Sequence, residues 1–428
     1  MPLERDSSGV LRLGGVSLAE LVREAGTPTY AYDLDAIAAE ARALADAFDA
    51  GPHLVAYALK ANSAGAVVRT LVDAGCGADV VSGAELLVAL GCGAAPERII
   101  YSGVAKTDHE LDMAIGCGAR GIGAVQVESV EEIARIEARA RAAGRNVRVS
   151  VRINPSVDLR GATHAHIATG HDRAKFGVAR PDVVRAVRLV EASAHLELVG
   201  MAAHVGSQFT DTAPYLEAVR VLFGVVRGLR DAGHARSLAF VDTGGGFGVD
   251  YGAALTPVPR PSDFVRATRA EQRQHGLDDL ALYIEPGRSL VAAHGVLLAR
   301  VIQPKVTTLR RWLMIDAGMN DLLRPALYQA QHRIVGVQAE VDPAAAARWR
   351  VVGPVCESSD DFGEHLLASE PPAEVAILDA GAYGYTMASR YNGRQLPAEA
   401  FVRGGRLVSV TQRPRVEAWV EERLRAGL

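Results

Sequence analysis

Lysine is scarce in this chain. Four residues, Lys60, Lys106, Lys175 and Lys305, stand against a large excess of arginine. Cysteine is equally scarce, and Cys76, Cys92, Cys117 and Cys356 include no Cys-x-x-Cys pair. That spacing argues against a zinc site and against a disulfide framework. No metal is expected. The chain also lacks a charge run or an acidic tail, and its net charge is −4. Nucleic acid and anionic membrane surfaces are therefore poor partners, and a small molecule is the better expectation. No apolar run approaches membrane-spanning length, and Met1-Pro2-Leu3-Glu4-Arg5-Asp6 lacks the basic-then-apolar order of a signal peptide. The expected location is the cytoplasm.

What the chain has in quantity is core material. Of 428 residues, 49% are hydrophobic and 22% charged, a balance that suits roughly two or three globular domains. From about residue 54 a short β-rich run, a polar or glycine break and an amphipathic stretch follow one another eight times. The runs are Leu54 to Lys60, Ala78 to Ser82, Arg98 to Ser102, Ala124 to Glu128, Val147 to Asn154, Leu198 to Gly206, Leu238 to Gly244 and Ala281 to Glu285. Strand alternating with helix implies parallel strands, and eight units fit a closed (β/α)8 barrel of the TIM type. An open doubly wound sheet is the alternative. After Gly295 helical patterns become rare and strand-like runs dominate. We therefore expect a barrel over residues 34–284 and a mainly β domain formed by residues 1–33 and 285–428, with Thr29-Tyr30-Ala31-Tyr32 adding a strand to it.

Lys60 closes the apolar run Val55-Ala56-Tyr57-Ala58-Leu59, and Ala61-Asn62-Ser63 stops it, so the amine emerges at a strand's C-terminal end. Such an amine suits attack on a carbonyl, the task of a Schiff-base lysine, although a surface lysine capping an edge strand would read the same way. His204 lies near the end of the sixth run, and Gly244-Gly245-Gly246 and Glu285 end the seventh and eighth. Catalytic groups of such barrels gather at that face. Three consecutive glycines let backbone N–H groups converge on a phosphate, or simply make a tight turn. They fail the G-x-G-x-x-G fingerprint, which disfavours a nicotinamide cofactor. Glu285-Pro286-Gly287-Arg288 offers either a surface ion pair or a carboxylate for the ring nitrogen of pyridoxal phosphate. His204 reads as a core histidine or as a group packed on that ring. His164, His166 and His171 crowd the stretch from Asn154 to Lys175 without zinc spacing, and a lid or solvated loop is expected there.

Six segments together resemble the diaminopimelate decarboxylase family, pyridoxal-phosphate enzymes of the alanine-racemase-like barrel class. They are Tyr57-Ala58-Leu59-Lys60-Ala61-Asn62, His204-Val205-Gly206-Ser207-Gln208, Gly244-Gly245-Gly246-Phe247-Gly248, Glu285-Pro286-Gly287-Arg288, Cys356-Glu357-Ser358-Ser359-Asp360 and Gly381-Ala382-Tyr383. The resemblance runs in order from about Tyr30 to Val402. It implies that Lys60 carries pyridoxal 5'-phosphate, that His204 packs on its ring and that Glu285 meets its ring nitrogen. Ser207, Gly245, Gly246 and Tyr383 would bind the phosphate. Arg288, Arg324 and Tyr328 would hold a distal carboxylate of the substrate, with Tyr383 also at the substrate. Cys356, a proton donor, and Glu357, on a distal amino group, would come from the second subunit of a homodimer. The implied reaction is decarboxylation of meso-2,6-diaminopimelate to L-lysine. One departure from the family pattern is Tyr391-Asn392-Gly393-Arg394-Gln395-Leu396-Pro397, where Tyr-Asn-x-Arg-Pro-Arg-Pro is usual.

Other readings stay in view. Relatives of this architecture act on other amino acids or on carrier-bound glutamyl groups. A non-catalytic carrier of the cofactor would lack the C-terminal β domain, and a dead regulator would be expected to lose Lys60 or Cys356. A racemase would need a second base opposite Lys60, which Cys356-Glu357 fits less well.

Overall fold

A computed structural model of the chain describes residues 3–6, 9–157, 174–252, 257–338 and 343–425. His164, His166 and His171 lie outside the described residues. The chain divides into two compact units, residues 39–249 with 257–289 and residues 1–38 with 250–256 and 290–428.

The first unit is a closed barrel. Its strands are His53–Ala58, Gly77–Val80, Ile99–Tyr101, Ala124–Val127, Val147–Asn154, Leu196–Ala202, Phe240–Asp242 and Ala281–Ile284. Each pairs in parallel with the next, and Ala281–Ile284 returns to His53–Ala58, so no edge is left open. The closed (β/α)8 arrangement is thus present and the open sheet is excluded. Ile100, Ala124, Val199 and Phe240 form one buried cluster with Ala281 and Tyr283 against it. Side chains from five strands of a closed sheet can meet in this way only inside the barrel. The helices between strands start where the sequence supplies caps. Ser82 and Ser129 accept from backbone N–H groups three residues on, and Thr107 with Glu110 forms a reciprocal capping box.

The second unit is mainly β. The long strand Gly295–Val306 pairs with Arg311–Ile315, Glu374–Ile377 and Thr29–Asp33. Thr29–Asp33 also runs parallel to Ala398–Arg403, so an N-terminal segment lies at the middle of a sheet built from the last third of the chain. All five of its residues are buried. The period-2 pattern shows in Val296 and Leu298, which share one apolar cluster with Ala31, Ala376 and Ala400.

Barrel closure depends on close approach between strands at Gly77. A Cβ there would sit 2.2 Å from the Arg98 carbonyl oxygen and 2.9 Å from a Leu54 methyl. Backbone cannot yield as a side chain can. Gly77→Ala should therefore cost about 1–3 kcal/mol of stability, the usual range for overpacking, and lower the melting temperature of the full-length protein. An unchanged melting temperature would show that this strand pair has slack.

Candidate active site

Lys60 sits in a single 3-10 turn, Leu59–Ala61, immediately beyond the first barrel strand. Its Nζ donates to Asp79 Oδ2 at 2.6 Å, and the lysine side chain keeps 33% of its exposure while Asp79 has none. The lysine is therefore reachable, and its amine is paired with a buried acid. Asp79 comes from the second strand. It was invisible as a partner in the sequence because Gly77-Ala78-Asp79-Val80 reads as an ordinary core strand with one acid in it.

Glu285 follows the eighth strand and is buried, accepting from Ser102 Oγ at 3.2 Å. Burial, with Asp242 and Asp79 nearby, pushes its carboxyl well above the usual range. Asp242, which ends the seventh strand, is raised to about 6, chiefly by burial. Its Oδ1 accepts the Gly244 N–H at 2.8 Å, whereas Oδ2 has no donor among the described residues. Two acids buried in one site do not both ionise readily, since like charges repel there. The same end of the barrel holds a second charge pair. Arg152 donates to Glu128 Oε1 at 2.8 Å and to the His204 carbonyl at 3.1 Å.

His204 lies two residues past the sixth strand, and its Nδ1 accepts the Gly245 N–H at 3.1 Å. An accepting Nδ1 places the ring proton on Nε2. Burial, then Arg152 and Lys60, push the histidine well below its ordinary value, so it is neutral at pH 7. The expected convergence of three glycine N–H groups is thus modified. Gly244 serves Asp242 and Gly245 serves His204, because these buried acceptors are nearer than solvent. The glycines are also required by packing, since a Cβ at Gly245 would lie 2.1 Å from the Glu285 carbonyl oxygen. Arg288 is buried and donates to Ser207 Oγ at 3.0 Å. Lys60, His204, Ser207, Gly245, Gly246, Glu285 and Arg288 all belong to the barrel unit.

Arg324, Tyr328, Cys356, Glu357 and Tyr383 belong to the β unit. Arg324 opens the short helix Arg324–Tyr328 and is buried. Its Nη1 donates to His332 Nε2 at 2.7 Å, and the Tyr251 ring lies 4.4 Å from the guanidinium carbon. His332 Nδ1 faces the Leu378 carbonyl at 2.8 Å, which fixes the tautomer with the proton on Nδ1 and leaves Nε2 to accept. Neither His332 nor Tyr251 was singled out in the sequence, for neither lies in a recognisable motif. Tyr383 has a left-handed backbone, φ 55°, a strained setting for an aromatic residue. Cys356 and Glu357 are exposed at the tip of a turn. The Cys356 N–H donates to Asn392 Oδ1 at 2.8 Å, and the Tyr391 hydroxyl donates to Glu357 Oε1 at 2.5 Å. Tyr391 and Asn392, the residues that open the segment whose later positions depart from the family pattern, therefore support this turn.

Residues 34–292 match the pyridoxal-binding domain family of pyridoxal-dependent decarboxylases. The diaminopimelate decarboxylase of Zymomonas mobilis is 40% identical over 415 residues, covering 96% of each chain. This chain belongs to the diaminopimelate decarboxylase family. Among solved structures, the family's Helicobacter pylori enzyme complexed with L-lysine has a TM-score of 0.87 at 36% identity, covering 96% of this chain and 100% of that one. The M. jannaschii enzyme in co-complex with L-lysine has a TM-score of 0.90 at 33% identity, covering 98% and 97%. The donor set fits the cofactor of this family. A reachable amine suits its aldehyde, and a buried acid pair short of donors suits a protonated pyridine nitrogen.

The raised Asp242 makes stability depend on pH. The folded state holds a proton that the unfolded chain releases near pH 4, so the stabilisation is complete below that and is lost as pH rises through about 6. Asp242→Asn keeps the acceptor for Gly244 and removes the titration. Its cofactor-free melting temperature should fall less than that of the wild type between pH 4 and 7, a difference in slope of up to about 1.4 kcal/mol per pH unit. Parallel profiles would mean that Asp242 is already ionised throughout.

Proposed function

We propose that this protein decarboxylates meso-2,6-diaminopimelate to L-lysine, the last step of lysine biosynthesis, using pyridoxal 5'-phosphate. The observation that carries the reading is Lys60 beside Asp79, at the same barrel end as His204 and Glu285, in a chain that matches diaminopimelate decarboxylases over nearly its whole length. When bound, the cofactor supplies a carbonyl for amines and a ring that accepts the electron pair left by departing carbon dioxide.

The chain's own residues do the rest. Lys60 would hold the cofactor through its amine. Asp79 stabilises the charged lysine and takes part in returning its proton. Glu285 would meet the ring nitrogen, and neutral His204 would pack on the ring without adding charge. Ser207, Gly245, Gly246 and Tyr383 bind the phosphate. Arg288, Arg324 and Tyr328 bind the distal carboxylate, and Arg324 enters that role with its guanidinium already oriented by His332 and Tyr251. Cys356 gives a proton to the carbon that has lost carbon dioxide, and Glu357 receives the distal ammonium. Both serve the active site of a second copy in a cytoplasmic homodimer. No helix among the described residues is long and apolar enough to cross a membrane.

The first test is lysine formation from meso-diaminopimelate with added pyridoxal phosphate. Wild-type protein should form lysine and Lys60→Ala should not. Cofactor binding without lysine would move the assignment to another amino acid or a carrier-bound glutamyl group. Arg324→Ala should lower kcat/KM by roughly 10²- to 10⁴-fold, because a site built around a buried polar partner rejects what cannot use it. An unchanged value would remove Arg324 from the distal site. Mixing Lys60→Ala with Cys356→Ala tests subunit sharing. If Cys356 serves the partner, half the dimers are mixed and each has one intact site, so about a quarter of wild-type activity should return. No recovery would place both groups in one subunit's site.

A further inference from the structure

The Cys356 turn is held at two levels. Its base closes on the buried carboxylate of Asp360, whose Oδ2 accepts the Val355 N–H at 2.6 Å and whose Oδ1 accepts the Met319 N–H at 2.6 Å. Within the turn, the Glu357 N–H meets the Val355 carbonyl at 2.8 Å and the Asp360 N–H meets the Glu357 carbonyl at 3.1 Å. Residues 356–359 at the tip are all exposed, so burial does not fix them. Their placement falls to the segment facing them. Asn392 Oδ1 receives the Cys356 N–H, the Tyr391 hydroxyl reaches Glu357, and Arg394 Nη2 donates to the Pro354 carbonyl at 3.3 Å.

That segment has the local structure such a task needs. Asn392 has φ 54°, and Gly393 follows with φ 71°. Asparagine tolerates the left-handed region better than most residues with a side chain. The segment is itself braced by the C-terminal helix Val416–Arg425. A Cβ on Gly393 would lie 3.1 Å from the Trp419 ring, and Arg390 Nη1 donates to Glu422 at 3.2 Å. A chain of contacts thus runs from the last helix through residues 390–394 to the thiol-bearing tip.

We propose that Asn392 and Tyr391 are positioning residues, Asn392 for the Cys356 thiol and Tyr391 for the Glu357 carboxylate. The proposal rests on the roles assigned above to Cys356 and Glu357. It separates the two tasks by residue: one hydrogen bond sets where the proton donor stands, and the other sets where the distal ammonium is received. Losing one such bond is worth about 0.5–1.5 kcal/mol, or roughly 2- to 10-fold in a rate or an affinity.

The test uses the full-length, cofactor-loaded protein and two kinds of readout. The first is the rate of Cys356 alkylation by iodoacetamide, followed by peptide mass spectrometry, with the buried Cys76 and Cys92 as internal controls. Asn392→Ala should change that rate roughly 2- to 10-fold, and Asn392→Asp, which keeps the Oδ1 acceptor, should restore it. A rate in Asn392→Ala equal to wild type, or a change that Asn392→Asp fails to reverse, overturns the positioning of the thiol. The second readout is steady-state kinetics. Asn392→Ala should lower kcat with KM little changed, whereas Tyr391→Phe should raise KM for meso-diaminopimelate with kcat little changed. A Tyr391→Phe variant with wild-type KM overturns the second half. Cys356→Ala separates this proposal from the reading beneath it. Full turnover in that variant would overturn the role of Cys356 as proton donor, while the alkylation rates would still decide whether Asn392 positions the thiol.

Discussion

The structure of the barrel end turns on the burial of three carboxyl groups, Asp79, Asp242 and Glu285, in a space that offers too few cations to ionise all of them. Lys60 answers Asp79 at 2.6 Å, and Arg152 is already committed to Glu128. Asp242 and Glu285 are both raised, chiefly by burial, with Asp79 adding to each and Asp242 adding to Glu285. An isolated buried carboxylate is costly, so the proton stays. The arrangement is therefore poised for an incoming cationic ring atom. Burial, then Arg152 and Lys60, push His204 towards neutrality. Burial thus favours the neutral form of the histidine and of both acids together.

Much of the barrel was legible because its signal is periodic. Eight apolar runs separated by amphipathic stretches correspond to eight parallel strands, and the residues read as strand-terminal, Lys60, His204, Gly244 and Glu285, lie one to two positions past Ala58, Ala202, Asp242 and Ile284. Thr29–Asp33 was legible as a strand, and its place in the middle of the β sheet follows from pairings with residues 295–298 and 398–402. What the sequence hid were partners. Asp79 is 19 residues from Lys60, Ser102 is 183 residues from Glu285, and Tyr391 is 34 residues from Glu357. Each of these residues is unremarkable in its own neighbourhood. Only the closed sheet or the fold of the β unit brings it to the group it serves, so periodicity and spacing carry no trace of it.

The departure at residues 391–397 shows the same limit from the other side. In the sequence it stands only as a departure from the family pattern. In the structure its first residues hold the tip that carries Cys356 and Glu357, while Gln395, Leu396 and Pro397 lead into the strand Ala398–Arg403. The residues kept, Tyr391, Asn392 and Arg394, are those that contact the turn, and the residues changed lie beyond it. The departure therefore falls outside the hydrogen bonds that fix the turn.

Cofactor chemistry and substrate choice also rest on different parts of the chain. The match to the pyridoxal-binding domain ends at residue 292, and it includes Lys60, His204, Ser207, Gly245, Gly246, Glu285 and Arg288. Arg324, Tyr328, Cys356, Glu357 and Tyr383 all lie beyond it. A chain could keep the first set and change its substrate by altering the second, since a decarboxylation common to many amino acids asks the barrel only for the cofactor's setting. The assignment to diaminopimelate therefore draws on the relatives that align across both sets. The 96% coverage by the Zymomonas mobilis enzyme extends through the β unit, which holds a buried arginine oriented by a histidine.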